Sequence, residues 1–305
     1  MQLPDVFNIR KPVIGMLHVP ALPGSPQNKL DFNTIIDWVL RDAEALAGGG
    51  ADGLMIENFG DVPFYPRRVP PHTVAFMTAL GRELRRRFDV PLGVNVLRND
   101  SASALAIAAA VDAAFIRVNI HTGARLTDQG LIQGTAHQTL RYRKLLGCDV
   151  KIFADVDVKH SAPLASRELR DEVEEVVSRC CADAIIVTGS ASGRQTALED
   201  LRTAKGAAGG APVFAGSGLD LMNVAAVLEV ADGLIVGDGL QAGQCHHQSR
   251  GERACARVHG GGSGPAYPGV RFAHPRLSSF RSAGAEFGTT EAVPCPSLVV
   301  NECKF

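Results

Sequence analysis

The sequence predicts an α/β fold in which eight parallel strands and their helices close into a (β/α)8 barrel, with an open doubly wound sheet as the alternative. Two observations carry the prediction. Eight short β-branched runs alternate with amphipathic segments at about 25 to 35 residues per unit, and seven of the runs are clearly followed by a helix. Every second run also opens alike: ADGLMIEN at Ala51, VDAAFIRVN at Val111, ADAIIVTG at Ala182 and ADGLIVGD at Ala231, with Glu57, Arg117, Thr188 and Gly237 at the seventh positions. In a closed barrel alternate strands contribute equivalent layers of side chains, so a repeat on every second strand has a geometric cause. Ala-Asp-Gly is also a common turn, which explains the opening dipeptide but not the shared register.

In chain order, VIGMLHV (13–19) reads as the first strand, followed by a helix with Ile35, Ile36, Val39, Leu40, Ala43 and Leu46 on one face. GLMIEN (53–58) is second, with Met77, Leu80, Leu84 and Phe88 on its helix. PLGVNVL (91–97) is third, before an Ala-rich helix, and AFIRVNI (114–120) is fourth. A loop over 121–134 leads into a helix near Thr135 to Leu146. IFADVDV is fifth, with an apolar stripe at Leu169, Val173, Val176, Val177 and Cys180 on its helix. AIIVTGS (184–190), PVFAGSG (212–218) and GLIVGDG (233–239) complete the count.

The chain has 305 residues, 46% of them hydrophobic, enough to bury a full-sized core. A net charge of −1 offers no basic stripe for nucleic acid and no polybasic membrane anchor, so a small molecule is the expected partner. Self-association into a homo-oligomer stays open. No run reaches 18 apolar residues and no signal sequence opens the chain, which predicts no membrane span and a cytoplasmic address. Of seven cysteines only Cys148, Cys180 and Cys181 precede residue 244; none has metal-ligand spacing, and reduced structural thiols are expected.

The stretch IFADVDVKHS is the most informative for chemistry. Phe153, Asp155, Asp157 and Lys159 alternate, so on a strand they share one face. Charges aimed into a core are costly, and a chain places them where a strand runs out into a pocket. A buried ion pair of structural type, with Arg117 as partner, is the alternative. At barrel-strand ends the candidate catalytic residues are Asp155, Asp157, Glu57, Lys159, Arg117, Asn119, His18 and Asn95. Arg98, Asp100, His121 and His160 read equally well as loop residues. AGSG and VGDG, after the seventh and eighth strands, leave backbone N–H groups accessible. Gly216, Ser217, Gly218, Gly237 and Gly239 are therefore the candidate phosphate cradle of a phosphate-binding TIM barrel.

Seven phrases in fixed order, IGMLHVPALPGSP, ADGLMIENFGDVPF, GVNVLRND, FIRVNIHTGA, TDQGLIQG, ADVDVKHS and IIVTGSASG, resemble the BtpA/SgcQ family over about residues 8–240. The resemblance implies a phosphate-binding TIM barrel, with links to photosystem I biogenesis on one side and to sugar metabolism on the other. It carries no established reaction. In a photosynthetic host it would allow peripheral thylakoid association.

The resemblance stops near Asp238, and residues 244–305 carry four of the seven cysteines and no helical stripe. Codons can be chosen for Gln244 to Ser263 that read NVTTNPVESERVRAFMEAA one nucleotide later, which is the ending the family leads one to expect. The sequence thus predicts a barrel over 1–243 and an out-of-frame, poorly ordered tail over 244–305 that has cost the chain its last helix.

Two function classes follow. One is an isomerase or lyase acting on a phosphorylated sugar or nucleoside-like metabolite, in which the carboxylates divide into proton donor and acceptor and Lys159 and Arg117 stabilise an enediolate-like charge. The other is a non-catalytic assembly factor for photosystem I. No cofactor is required by either. Mg2+ held by Glu57, Asp155 and Asp157 is a further variant.

Overall fold

Strands that are apolar on both faces must be covered on both, and a closed barrel ringed by helices does so. A computed structural model describes residues 1–158, 160–188, 198–217, 219 and 223–237. Its elements are α1 (Pro4–Phe7), β1 (Val13–His18), α2 (Phe32–Gly48), β2 (Gly53–Glu57), α3 (Pro71–Arg87), β3 (Leu92–Asn95), α4 (Ser101–Val111) and β4 (Phe115–Val118). Then follow β5 (Ala124–Thr127), β6 (Gly130–Gln133), α5 (Ala136–Leu146), β7 (Lys151–Val156), β8 (Ser161–Pro163), α6 (Leu169–Ser178) and β9 (Ala184–Val187). The described part ends with α7 (Leu198–Ala207), β10 (Val213–Ala215), α8 (Val224–Val230) and β11 (Gly233–Val236). Eight parallel strands close in the order β1-β11-β10-β9-β7-β4-β3-β2, so the closed barrel holds and the open sheet does not. The tail at 244–305 lies outside the described residues.

The repeated Ala-Asp opening now has a cause. Asp52, Asp183 and Asp232 each stand just before a strand, and each accepts an amide from the opening residues of the preceding barrel strand, from Val13, Ile152 and Val213, at 2.8 Å. Asp112 departs from this pattern and takes a left-handed φ of 57° at the end of α4. The shared register is also real. Met55, Phe115, Ile186 and Ile235, two residues before Glu57, Arg117, Thr188 and Gly237, all belong to the barrel's inner core. By the two-residue alternation of strands, the four seventh positions therefore face the same interior, one layer nearer the carboxyl ends.

The amino end of the barrel is stoppered. Leu3 and Phe7 of α1 join the inner core, and the Phe7 ring lies 5.7 Å from Phe115 and 6.4 Å from both Phe153 and Phe214. Outside the barrel, α2 buries Ile35, Val39, Ala43 and Leu46, and its Asp31 cap accepts the Thr34 amide. Among the described residues no helix is long and apolar enough to cross a membrane.

The expected loop over 121–134 needs correction: it contains the hairpin β5–β6. With β8 this forms a separate antiparallel sheet in the order β6-β5-β8. Leu126 and Leu131 pair across the hairpin and remain exposed.

Candidate functional site

Because α1 blocks one end of the barrel, the carboxyl ends of the strands form its open mouth. Above the phenylalanine layer the inward positions turn polar. Glu57, Asn95, Arg117, Asn119 and Asp155 are all buried there, at 6% exposure or less. The structure brings these five predicted residues together, with His18 beside them.

Two hydrogen-bonded groups divide the layer. In the first, Asp155 is held by a two-pronged grip from Arg117, with Nε on Oδ1 and Nη2 on Oδ2, each at 3.0 Å, and Asn119 Nδ2 donates to Oδ2 at 2.8 Å. The side-chain exposures of Arg117 and Asp155 are 6% and 0%. Burial works against the Arg117 charge, but Asp155 and Glu57 outweigh it, and its pKa lies above the ordinary arginine value. The ion pair first considered as the structural alternative for Asp155 is thus the one that forms. The second group centres on Glu57, whose Oε2 accepts the Asn95 amide and whose Oε1 lies 3.8 Å from His18 Nε2. The His18 ring packs at 4.5 Å from that of Phe59, which is 46% exposed at the mouth.

The sequence leaves Arg98 an even choice between loop and site. It is buried, and its pKa falls through burial, while Asp155, Asp128 and Glu57 favour its charge and Arg117 opposes it. It belongs with the site electrostatically. Asp100 and His121 do not. Asp100 caps α4 through the Ser103 amide and also accepts the Val69 amide at 2.9 Å. The His121 Nε2 sits 2.9 Å from the Cys180 carbonyl oxygen. His160 is exposed, with a φ of 56°.

Asp157 is the main correction. Strand β7 ends at Val156, and Asp157 takes a φ of 44°, which breaks the alternation that would have put it beside Asp155. Its carboxylate instead meets Arg125 Nη2 at 2.5 Å, and its side chain is 62% exposed. Asp155 and Asp157 therefore do not form a carboxylate pair for acid and base. Arg125, which the sequence reading passed over inside a supposed loop, also donates to Ser161 Oγ at 2.7 Å and lies 3.6 Å from Glu172. It shares the buried face of the hairpin with its cross-strand partner Ile132, a position visible only once β5 is known to be a strand.

The same geometry removes the proposed Mg2+ ligand set. Asp155 is already occupied by Arg117 and Asn119, Asp157 is drawn to Arg125, and among the described residues no three His, Cys, Asp or Glu side chains gather as metal ligands do.

For the anion cradle, Gly216 and Gly237 follow β10 and β11. A Cβ on Gly216 would lie 2.5 Å from Ile186 Cγ2, so packing alone requires glycine there. At Gly237 a Cβ would approach His18 Cε1 to 3.2 Å, so the missing side chain leaves room for the imidazole. Ser217 is half-buried beside them. Lys159, Gly218 and Gly239 lie outside the described residues.

The BtpA family profile matches residues 9–254. The chain is 46% identical over 241 residues to the photosystem I biogenesis protein BtpA of Synechocystis sp., spanning 79% of this chain and 84% of that one. It is 44% identical over 246 residues to an uncharacterized protein of Thermococcus kodakarensis, with 80% and 93% covered. An uncharacterized mitochondrial protein of Caenorhabditis elegans is 33% identical over 246 residues, with 78% and 88% covered. Among solved structures, a 7,8-dihydropteroate synthase from Vibrio fischeri superposes with a TM-score of 0.52 at 16% identity, covering 82% of this chain and 91% of that one. A structure described as native KDPGal gives 0.50 at 15% identity, with 81% and 92% covered. At such identities these likenesses speak for the TIM-barrel fold alone. The sequence relationships carry more, and by them the chain belongs to the BtpA family.

Proposed function

We propose that the barrel mouth binds and converts a small phosphorylated sugar or nucleoside-like metabolite by acid/base chemistry, as an isomerase or lyase in the cytoplasm. The observation that carries this reading is the buried polar layer of Glu57, Asn95, Arg117, Asn119 and Asp155. Polar groups at this depth are costly, and a purely structural network would satisfy every member. This one leaves the carbonyl oxygen of Asn119 without a donor among the described residues.

Glu57 takes the role of proton-transfer group. Asn95 orients its carboxylate, and His18, whose Nε2 is 3.8 Å away at the wetter edge, exchanges protons with solvent. In an aldose–ketose conversion Glu57 would remove the proton from the carbon beside the carbonyl and return it to the former carbonyl carbon, while the hydroxyl proton passes from one enediol oxygen to the other. Charge developing on the enediolate oxygen would be met by Arg98 and Arg117. Asp155 then serves to hold Arg117 and Asn119 in place. The phosphate would rest against Gly216, Ser217 and Gly237, the side of the mouth that offers backbone in place of bulky side chains.

The 46% identity to a protein named for photosystem I biogenesis favours a second reading, a non-catalytic assembly factor. Relatives in an archaeon and a nematode, organisms without photosystems, favour chemistry that does not depend on one. A thermal-shift screen with phosphorylated sugars and nucleosides separates the readings. A ligand at a hundredfold excess over its Kd stabilises the fold by about 2.7 kcal/mol. If no member of the panel raises the melting temperature, the metabolite reading fails and the assembly reading moves ahead.

A further inference from the structure

We propose that Asn119 is the specificity-determining residue of the mouth, and that its side-chain carbonyl receives a hydroxyl of a polyhydroxylated sugar phosphate. The inference rests on the phosphate-ligand reading above and assigns the end of the ligand remote from the phosphate.

Asn119 continues the inward alternation of Phe115 and Arg117 just past the end of β4, and it is 4% exposed. Its amide orientation is fixed chemically. Asp155, gripped by Arg117, is an acceptor only, so the side of Asn119 facing Asp155 Oδ2 at 2.8 Å must be the nitrogen. The oxygen is thereby turned away from Asp155. It is fully buried and accepts no hydrogen bond from any described residue. The mouth's structural asparagines behave differently. Asn99 Oδ1 accepts the Ile120 amide at 2.9 Å, and Asn58 Oδ1 accepts the Leu97 amide at 2.7 Å. A buried carbonyl held by its own amide in an unsatisfied orientation is preorganised for a donor from outside the chain.

The surroundings narrow the donor. An ammonium would meet the positive charges of Arg117 and Arg98, and a phosphate would meet the carbonyl oxygen and Asp155. A neutral hydroxyl suits a place where an acceptor stands beside guanidinium donors, because it donates and accepts at once. The strand order places β4 diametrically opposite β11. A ligand with its phosphate at Gly237 thus crosses the mouth to bring its hydroxyl-bearing end to Asn119.

The test is calorimetric titration of the full-length protein with ribose 5-phosphate and with methyl phosphate, which carries the phosphate and no hydroxyl chain. The wild type should bind ribose 5-phosphate at least about tenfold more tightly, the cost of leaving a built acceptor unpaired. In Asn119→Ala and Asn119→Leu the two Kd values should converge to within about threefold, with methyl phosphate unchanged. Equal affinities in the wild type, or selectivity retained in either folded variant, would overturn the role of Asn119 and leave the phosphate reading standing. Binding of neither probe would overturn the phosphate reading and this inference with it. Should both variants unfold, the wild-type ratio alone decides.

Discussion

Replacing Asp155 by asparagine removes one charge from a buried pair while keeping shape. In the folded chain Asp155 has 0% side-chain exposure and takes three hydrogen bonds, two from Arg117 at 3.0 Å and one from Asn119 at 2.8 Å. The variant takes from the buried Arg117 guanidinium its hydrogen-bonded counter-charge, leaving only the more distant Glu57, and losing one partner of such a pair costs about 3 to 5 kcal/mol. At roughly 2 to 4 °C per kcal/mol for a barrel of this size, the melting temperature should drop by about 6 to 20 °C. Urea denaturation followed by circular dichroism gives the free energy directly. Removing both charges, as Arg117→Met with Asp155→Leu, should bring stability back to within about 2 kcal/mol of the wild type, because two apolar groups need no pairing. A loss below about 1 kcal/mol in Asp155→Asn would refute the reasoning, since that is what a solvated pair is worth.

Glu57→Gln should lower turnover of the identified substrate by about 10²- to 10⁴-fold while its Kd moves only a few-fold, as steady-state kinetics and calorimetry on the same variant would show. His121 predicts a pH dependence. Burial, assisted by Arg143, holds its imidazole below the ordinary value despite the Cys180 carbonyl. The unfolded chain therefore binds its proton more readily, so this contribution is complete above about pH 6.5 and stability falls as pH drops below it, by up to about 1.4 kcal/mol per pH unit. Urea midpoints measured from pH 7.5 down to 5.5 should show a shallower decline in His121→Gln. The out-of-frame reading of residues 244–305 predicts a single-nucleotide change near the codon for Gly243. Sequencing the coding DNA beside that of a relative tests it, and an undisturbed frame in the purified full-length chain would end it.

The fold was legible because its signals are local. Apolar runs and the aspartates at 52, 183 and 232 recur at the same place in their units, and the structure gives each aspartate a backbone amide near the start of the preceding strand to hold. Alternation likewise placed Arg117 and Asp155 inside. It failed at Asp157, since it holds only while the strand lasts and one residue at a φ of 44° ends it. Arg125 escaped notice, and Arg98 stayed an even choice, for a related reason. A charged residue beside Gly, Asp and Asn resembles solvated loop, and burial arises from contacts distant in sequence, such as β5 with β8. The stopper formed by Phe7 lies in a four-residue helix too short to show a period. Strand position singles out Glu57, Asn95 and His18, but the division of the layer into an Asp155 held by Arg117 and a Glu57 held by Asn95 is visible only in the hydrogen bonds.

A crystal structure grown with saturating ribose 5-phosphate would test the metabolite-binding mouth most directly. The predicted result is density inside the barrel mouth, with the phosphate against the backbone at Gly216 and Gly237 and a hydroxyl within hydrogen-bond distance of Asn119 Oδ1. A sugar phosphate bound elsewhere on the chain, with Asn119 Oδ1 and Glu57 untouched, would contradict it.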